Sequence, residues 1–226
     1  MKDDSVRAPN FVPIPDRQDK ARSHDGWCMR EFLIIAHEAT TDPSFSLADL
    51  PGSAGRLDVL CRCVTAGLLR SHGIRDDTIV TVVIRDRLTI QFTGSSIRHL
   101  QPDERSTAAR FRDAFTAAAD AVGHVAVDVA PGITVSRLDL DTTLAECANR
   151  GTVILLAEDG DPVWEWTPPD HPIFVLSDHH SFTAEEREQL ASVSAETISL
   201  GPVALHADQA ITIAHHVLDI DGDQMT

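Results

Sequence analysis

Lysine is almost missing from this chain. Lys2 and Lys20 are the only two, and the other 17 of its 19 basic residues are arginine. Against them stand 35 Asp and Glu, for a formal net charge of -16 at pH 7. An acidic, lysine-poor surface suits a cell with very high internal salt. There the Debye length falls to about 3 Å and self-repulsion costs little. The acidic balance therefore does not exclude a nucleic-acid partner. Long apolar runs are also missing: no stretch approaches the ~18 residues of a transmembrane helix. The first residues, MKDDSVRAPN, lack the apolar segment of a signal peptide. Four cysteines (Cys28, Cys61, Cys63 and Cys147) are too few and too irregular for a disulfide framework. Reduced, structural thiols in a cytoplasmic protein are expected.

Several chemical signatures are absent as well. No G-x-G-x-x-G and no P-loop occurs, which leaves an ordinary dinucleotide or triphosphate site unsupported. No G-x-S-x-G elbow occurs, and the adjacent Ser177-Asp178-His179 is not a triad, because triad members meet in space. Neither H-E-x-x-H nor C-x-x-C is present. The pairs His206/Asp208 and His215/His216 would splay on a helix, so no metal is expected.

What is present is uneven. Residues 56–112 hold ten Arg and six acids, a local balance of +4, while residues 113–226 hold three Arg and 20 acids, a balance of -17. One positive stretch in a carboxylate-rich chain points to a phosphate-contacting face.

Hydrophobic periodicity alternates between strand and helix. Residues 1–28 are polar, carry three prolines and no periodicity, and are expected to be a disordered extension. Met29–Ala36 reads as a buried strand and 40–55 as a loop. Arg56–His72 reads as a helix with Gly73 as its C-cap. Thr78–Ile84 and Leu88–Phe92 read as strands around a tight Arg-Asp-Arg turn. A helix opens at Pro102-Asp103 and runs to about Val122. Short strands are expected over 125–129 and 133–135, and a helix over Leu140–Asn149. Thr152–Leu156 is a strand closed by Glu158-Asp-Gly, and Pro172–Leu176 is a second. Thr183 and Glu186 have capping-box spacing for a helix start. Glu196–Leu200 is a third strand, and His206–Leu218 the last helix. The pattern is α/β: an open, mostly parallel sheet with helices on both faces. In such sheets ligands collect at the carboxyl ends of the strands, here near Leu156, Ser177 and Gly201. The Leu-Gly-Pro corner at 200–202 is either a plain tight turn into the last helix or a place where backbone approaches a ligand.

The blocks MREFLIIAHEA, DLPGSAGRLDVLCRCV, RHLQPDERSTAA, FVLSDHHSFTAEE and ISLGPVALHADQAIT, in this order, resemble the archaeal tRNA pseudouridine N1-methyltransferases of the SPOUT, or α/β-knot, superfamily. The resemblance covers Met29 to about Asp219, and residues 1–28 fall outside it as an extension or a start codon placed too early. It implies one domain over 29–226 with a deep trefoil knot in about 150–219. It also implies a cytoplasmic homodimer with its active site at the subunit interface. The implied reaction moves a methyl group from S-adenosyl-L-methionine (SAM) to N1 of pseudouridine 54 in the tRNA T-loop. The implied cofactor residues are Leu155, Leu156, Leu176, Ser177, Asp178, Ser199, Leu200, Gly201, Pro202, Val203, Ala204, Leu205 and Ala210. Some relatives carry Cys where Ala210 stands, so thiol chemistry is not expected there.

Methyl transfer from a sulfonium needs no metal, but N1 must lose a proton. Asp58 is the candidate acceptor or orienting carboxylate. Arg56 is the candidate to contact phosphate or hold Asp58 ionised; a helix-start salt bridge is the alternative for the pair. Arg98, Arg105, Arg110 and Arg112 are the candidate RNA contacts. His99 is a candidate to stack on a base, with a structural role as the alternative. The target base is expected to flip out of its stack. Two rival readings are a relative acting on ribosomal RNA and a knotted RNA-binding protein without activity.

Overall fold

The computed structural model describes residues 29–194 and 196–224; the expected extension over 1–28 lies outside them. In chain order the elements are β1 (Arg30–Ala36), α1 (Leu50–Ser53), α2 (Leu57–Leu68), β2 (Leu69–Arg70), β3 (Gly73–Ile74), β4 (Thr78–Ile84), β5 (Leu88–Thr93), α3 (Glu104–Ala117), β6 (Val127–Ala130), β7 (Ile133–Ser136), α4 (Leu140–Arg150), β8 (Thr152–Pro162), a 3₁₀ turn (Val163–Glu165), β9 (Pro172–Ser177), α5 (Ala184–Val193), β10 (Glu196–Ser199) and α6 (Ala207–Gln224).

Eight strands form one sheet in the order β10-β8-β9-β1-β4-β5-β7-β6. Pairing from β10 through β4 is parallel, and the β5, β7 and β6 edge is antiparallel. β1 sits centrally and all seven of its residues are buried. Its side chains alternate between two cores, as a period of two requires. Phe32 and Ile34 face the core under α2, α3 and α6. Leu33 and Ile35 face the core under α4 and α5. Each fully buried side chain of this size contributes about 1.5–3 kcal/mol, so the continuous apolar run of β1 is the price of a strand covered on both faces. The expected open, mostly parallel sheet with helices on both faces is the fold observed.

Several boundaries differ from the sequence reading. α2 ends at Leu68, and Gly73 is not its C-cap, because Leu69–Arg70 pairs antiparallel with Gly73–Ile74. The turn between them places His72 in the left-handed region at φ 63°. α3 stops at Ala117, short of Val122, and Arg137 donates to the carbonyls of Ala118 and Ala121, each at 2.9 Å. α6 starts one residue after His206 and runs six beyond Leu218. β8 does not close at Glu158-Asp-Gly. Its register against β10 jumps from Leu155 to Asp161, so the strand resumes after residues 156–160 arch out. The Glu158-Asp-Gly signal marks a register shift inside β8, not its end.

Candidate active site

Because β8, β9, β1 and β10 run parallel, their carboxyl ends share one edge of the sheet. A cavity of about 640 Å³ opens there. Its walls are the arch of β8 at 156–159, the segment after β9 at 176–182, the corner after β10 at Ser199–Leu205, and the start of α6. Leu156, Leu176, Ser177, Asp178, Ser199, Leu200, Gly201, Val203, Leu205 and Ala210 all line it. Leu155, Pro202 and Ala204 do not. Leu155 packs instead against the core under α4 and α5.

The corner depends on Gly201. Its φ of +144° is a conformation that side-chain-bearing residues rarely adopt, and a Cβ there would meet nothing within 4 Å. Open space on that side is what backbone lining a ligand site requires. The charged lining is mixed: Glu158, Asp159 and Asp178 with Arg187. SAM carries a sulfonium, an ammonium and a carboxylate, so acids and one guanidinium in a half-apolar cleft fit it. Volumes of about 300–1,000 Å³ are usual for such ligands.

A tie that the sequence did not reveal fixes one wall. His37, the first residue beyond β1, donates its backbone N–H to Asp178 at 2.8 Å. Its ring spans Asp178 Oδ1 through Nδ1 at 2.9 Å and the Glu186 carboxylate through Nε2 at 3.1 Å. Glu186 also accepts from the Thr183 N–H and so completes the capping box of α5. Burial pushes the imidazole pKa down, but the hydrogen bonds and charges of Asp178 and Glu186 outweigh it and raise it above 6.5. His37 is thereby the bolt between the central strand and the 177–186 segment. The one available signal was its place at a strand's carboxyl end.

Arg56 and Asp58 lie beside this edge. Gly55 (φ +58°) packs so closely on β1's exit that a Cβ would stand 2.0 Å from the Glu38 carbonyl oxygen. Arg56, also left-handed at φ 61°, then opens α2. Its guanidinium meets Asp58 through Nε at 3.0 Å and Nη2 at 3.1 Å. Arg62 Nη1 also donates to Asp58, at 3.0 Å. Burial alone would raise the pKa of Asp58, but the two arginines hold it below the ordinary carboxylate range. Asp58 raises the Arg56 pKa in turn, chiefly by hydrogen bonding, and the charge of Asp178 adds to it. Arg56 is thus paired with Asp58 at the start of α2, whose entry packs against the exit of β1. A carboxylate committed to two guanidinium groups is a weak proton acceptor; the geometry suits an orienting role.

Residues 29–222 match the sequence family described as SAM-dependent RNA methyltransferases. The chain belongs to this family. It is 53% identical over 194 residues to the tRNA (pseudouridine(54)-N(1))-methyltransferase of Haloarcula marismortui, covering 86% of this chain and 98% of that one. It is 51% identical to the enzyme of the same name from Haloferax volcanii, with the same coverage. Its fold is similar to that of Archaeoglobus fulgidus Nep1 bound to S-adenosylhomocysteine, with a TM-score of 0.58 at 13% identity over 85% of this chain and 98% of Nep1. The chain is accordingly a methyltransferase that uses SAM.

The remaining site candidates of this methyltransferase lie apart from the cavity lining. Arg98 is exposed and donates to the carbonyls of Ser95 at 3.3 Å and Ile97 at 2.8 Å. Arg105 and Arg112 sit seven positions apart on α3 and share a face, with Arg110 turned roughly 140° away. Asp103 is the N-cap of α3, accepting from Ser106 N–H at 2.8 Å. His215 of the last helix is buried and bonded to the Gly67 carbonyl at 2.9 Å. Among the described residues one trio, the exposed Glu38, His179 and His180, could converge on a cation. These side chains pair with each other at 3.2 and 3.4 Å. Cys61, Cys63 and Cys147 are free and buried, with burial pushing each thiol pKa up, Cys147 to about 12; Cys28 lies outside the described residues. No helix among the described residues is long and apolar enough to cross a membrane.

Proposed function

We propose that this methyltransferase modifies N1 of pseudouridine 54 in the tRNA T-loop, with SAM held in the cavity at the carboxyl edge of the sheet. The observation that carries the assignment is the convergence of three strand-end segments and the start of α6 on one cleft, with the Arg56–Asp58 pair near the same sheet edge. The names of the relatives from Haloarcula and Haloferax supply the target base and position.

When bound, SAM supplies an electrophilic methyl group on sulfur. Ser199–Gly201, Val203 and Leu205 would close on it, Glu158, Asp159 and Asp178 would match its cationic groups, and Arg187 would match its carboxylate. Asp58 positions Arg56 through two hydrogen bonds and stays ionised throughout. Arg56 then faces the uracil ring and stabilises the negative charge that develops as N1 gives up its proton to solvent. Arg98, Arg105, Arg110 and Arg112 hold the phosphates of the T-arm.

We further propose a homodimer joined near the cavity. Trp164, Val203 and Leu205 leave apolar surface exposed, at 71%, 68% and 37%, of which Val203 and Leu205 line the cleft, and a second copy would cover it. A trefoil knot within about 150–219, the single domain over 29–226, a cytoplasmic location and adaptation to high salt belong to the same reading. The test uses labelled SAM and two T-loop RNAs, one with pseudouridine at position 54 and one with uridine. Label in the pseudouridine RNA alone is expected. Label in both would move the reaction to another atom, and label in neither, with SAM still bound, would favour a ribosomal RNA substrate.

A further inference from the structure

We propose a second nucleotide subsite on this protein, separate from the SAM cavity, formed by His99, Gln101, Ser106 and Arg110 over a floor of Leu100 and Ala109, that receives a T-loop nucleotide neighbouring the target. It rests on the RNA-methylating reading above.

These residues line an open hollow of about 440 Å³ between the loop after β5 and the first turns of α3. That space admits one nucleotide. Its chemistry is mixed in the way base recognition requires. Leu100 is buried and apolar, as a base face prefers. His99 is exposed and aromatic, and can stack. The Gln101 amide offers both donor and acceptor to a base edge. Arg110 is one-third exposed, and its nearest carboxylate, Asp113, is 3.9 Å away, so its guanidinium is available to a phosphate.

The backbone adds an independent sign. His99 holds φ at +57°, a left-handed conformation rare for non-glycine residues. Strain of this kind concentrates at ligand contacts. The hollow is also coupled to the proposed site. Arg62 bonds Glu104, two residues before Ser106, and Asp58, both at 3.0 Å, and reaches Asp208 at the start of α6 at 3.8 Å. A T-loop could therefore seat its target at the cavity and a neighbour beside His99. The hollow lies within the one stretch of the chain whose charge is positive.

The test measures binding of the full chain to a T-arm stem-loop carrying pseudouridine at position 54, with S-adenosylhomocysteine present. His99→Asn keeps a residue tolerant of left-handed backbone but removes the aromatic ring. It should weaken RNA binding about 5- to 150-fold, the range for one base–aromatic stack. His99→Phe should restore it. S-adenosylhomocysteine affinity should stay unchanged in both, and Tm in His99→Asn, while Phe in the left-handed conformation should cost some Tm. In RNAs made abasic at single positions, one neighbour of the target should weaken binding to the wild type but cost His99→Asn nothing further. Wild-type RNA affinity in His99→Asn, or fully additive losses at every abasic position, would overturn the subsite. Absence of RNA binding by the wild type would instead overturn the RNA-methylating reading beneath it.

Discussion

His37→Ala removes the bolt between β1 and the 177–186 segment. Two side-chain contacts to carboxylates are lost, at 2.9 and 3.1 Å. Hydrogen bonds to charged groups contribute about 1.5–3 kcal/mol each when buried. Asp178 keeps the N–H of residue 37 and of His180, so the total loss should be nearer 2–3 kcal/mol than the sum. For a domain of this size that lowers Tm by about 4–12 °C. If about 2 kcal/mol of it falls on opening of the cavity wall, SAM affinity drops about 30-fold. The pH dependence has a definite sign. A histidine whose folded pKa is raised stabilises fully below the unfolded value near 6.5. That stabilisation is lost as pH rises through the folded value. The difference in unfolding free energy between wild type and His37→Ala should therefore be largest near pH 6 and shrink towards pH 9. Calorimetric SAM binding and denaturant unfolding across that range measure both effects. Wild-type SAM affinity at pH 6, or a stability difference that grows with pH, would refute the reasoning.

Asp58→Asn should leave SAM binding intact but reduce turnover about 10²-fold, because Arg56 loses its orienting partner; unchanged kcat would remove Asp58 from the site. Gly201→Val should strain the corner by about 1–3 kcal/mol and put a side chain into open space at the cavity wall. Calorimetry should then find SAM affinity at least tenfold weaker, and normal binding would displace the cofactor from that corner. His215 is buried, and burial lowers its pKa to about 3. A neutral buried histidine costs stability as pH falls from about 6.5, so His215→Gln should flatten the loss of Tm between about pH 6 and pH 4. In a Cys28→Ser variant, a thiol reagent should find no reactive cysteine until the protein is unfolded, and fast native reaction at Cys61, Cys63 or Cys147 would contradict their burial.

The strands around the cavity were legible because burial on both faces forces continuous apolar runs, as in Phe32–Ile35 and Pro172–Leu176. The α5 start was legible because Thr183 and Glu186 cap it locally, within three residues. Local signals failed where a distant partner decides. α3 stops where Arg137 takes its carbonyls, and α2 yields to a hairpin that pairs Leu69 with Ile74. His37 carries no local signal because its partners stand 141 and 149 residues away. Arg56 and Asp58 are legible as neighbours in the chain. That Arg62 takes a share of the same carboxylate, turning an acceptor into a positioning group, needed the helix in three dimensions.

The most direct test of the central claim is to methylate a tRNA bearing pseudouridine at position 54 with the purified protein and SAM, then map the product by nuclease digestion and mass spectrometry. The account predicts one added methyl group, on N1 of the pseudouridine, at position 54 alone. A methyl group on another atom or at another position, or an unmodified tRNA from protein with SAM bound, would contradict it.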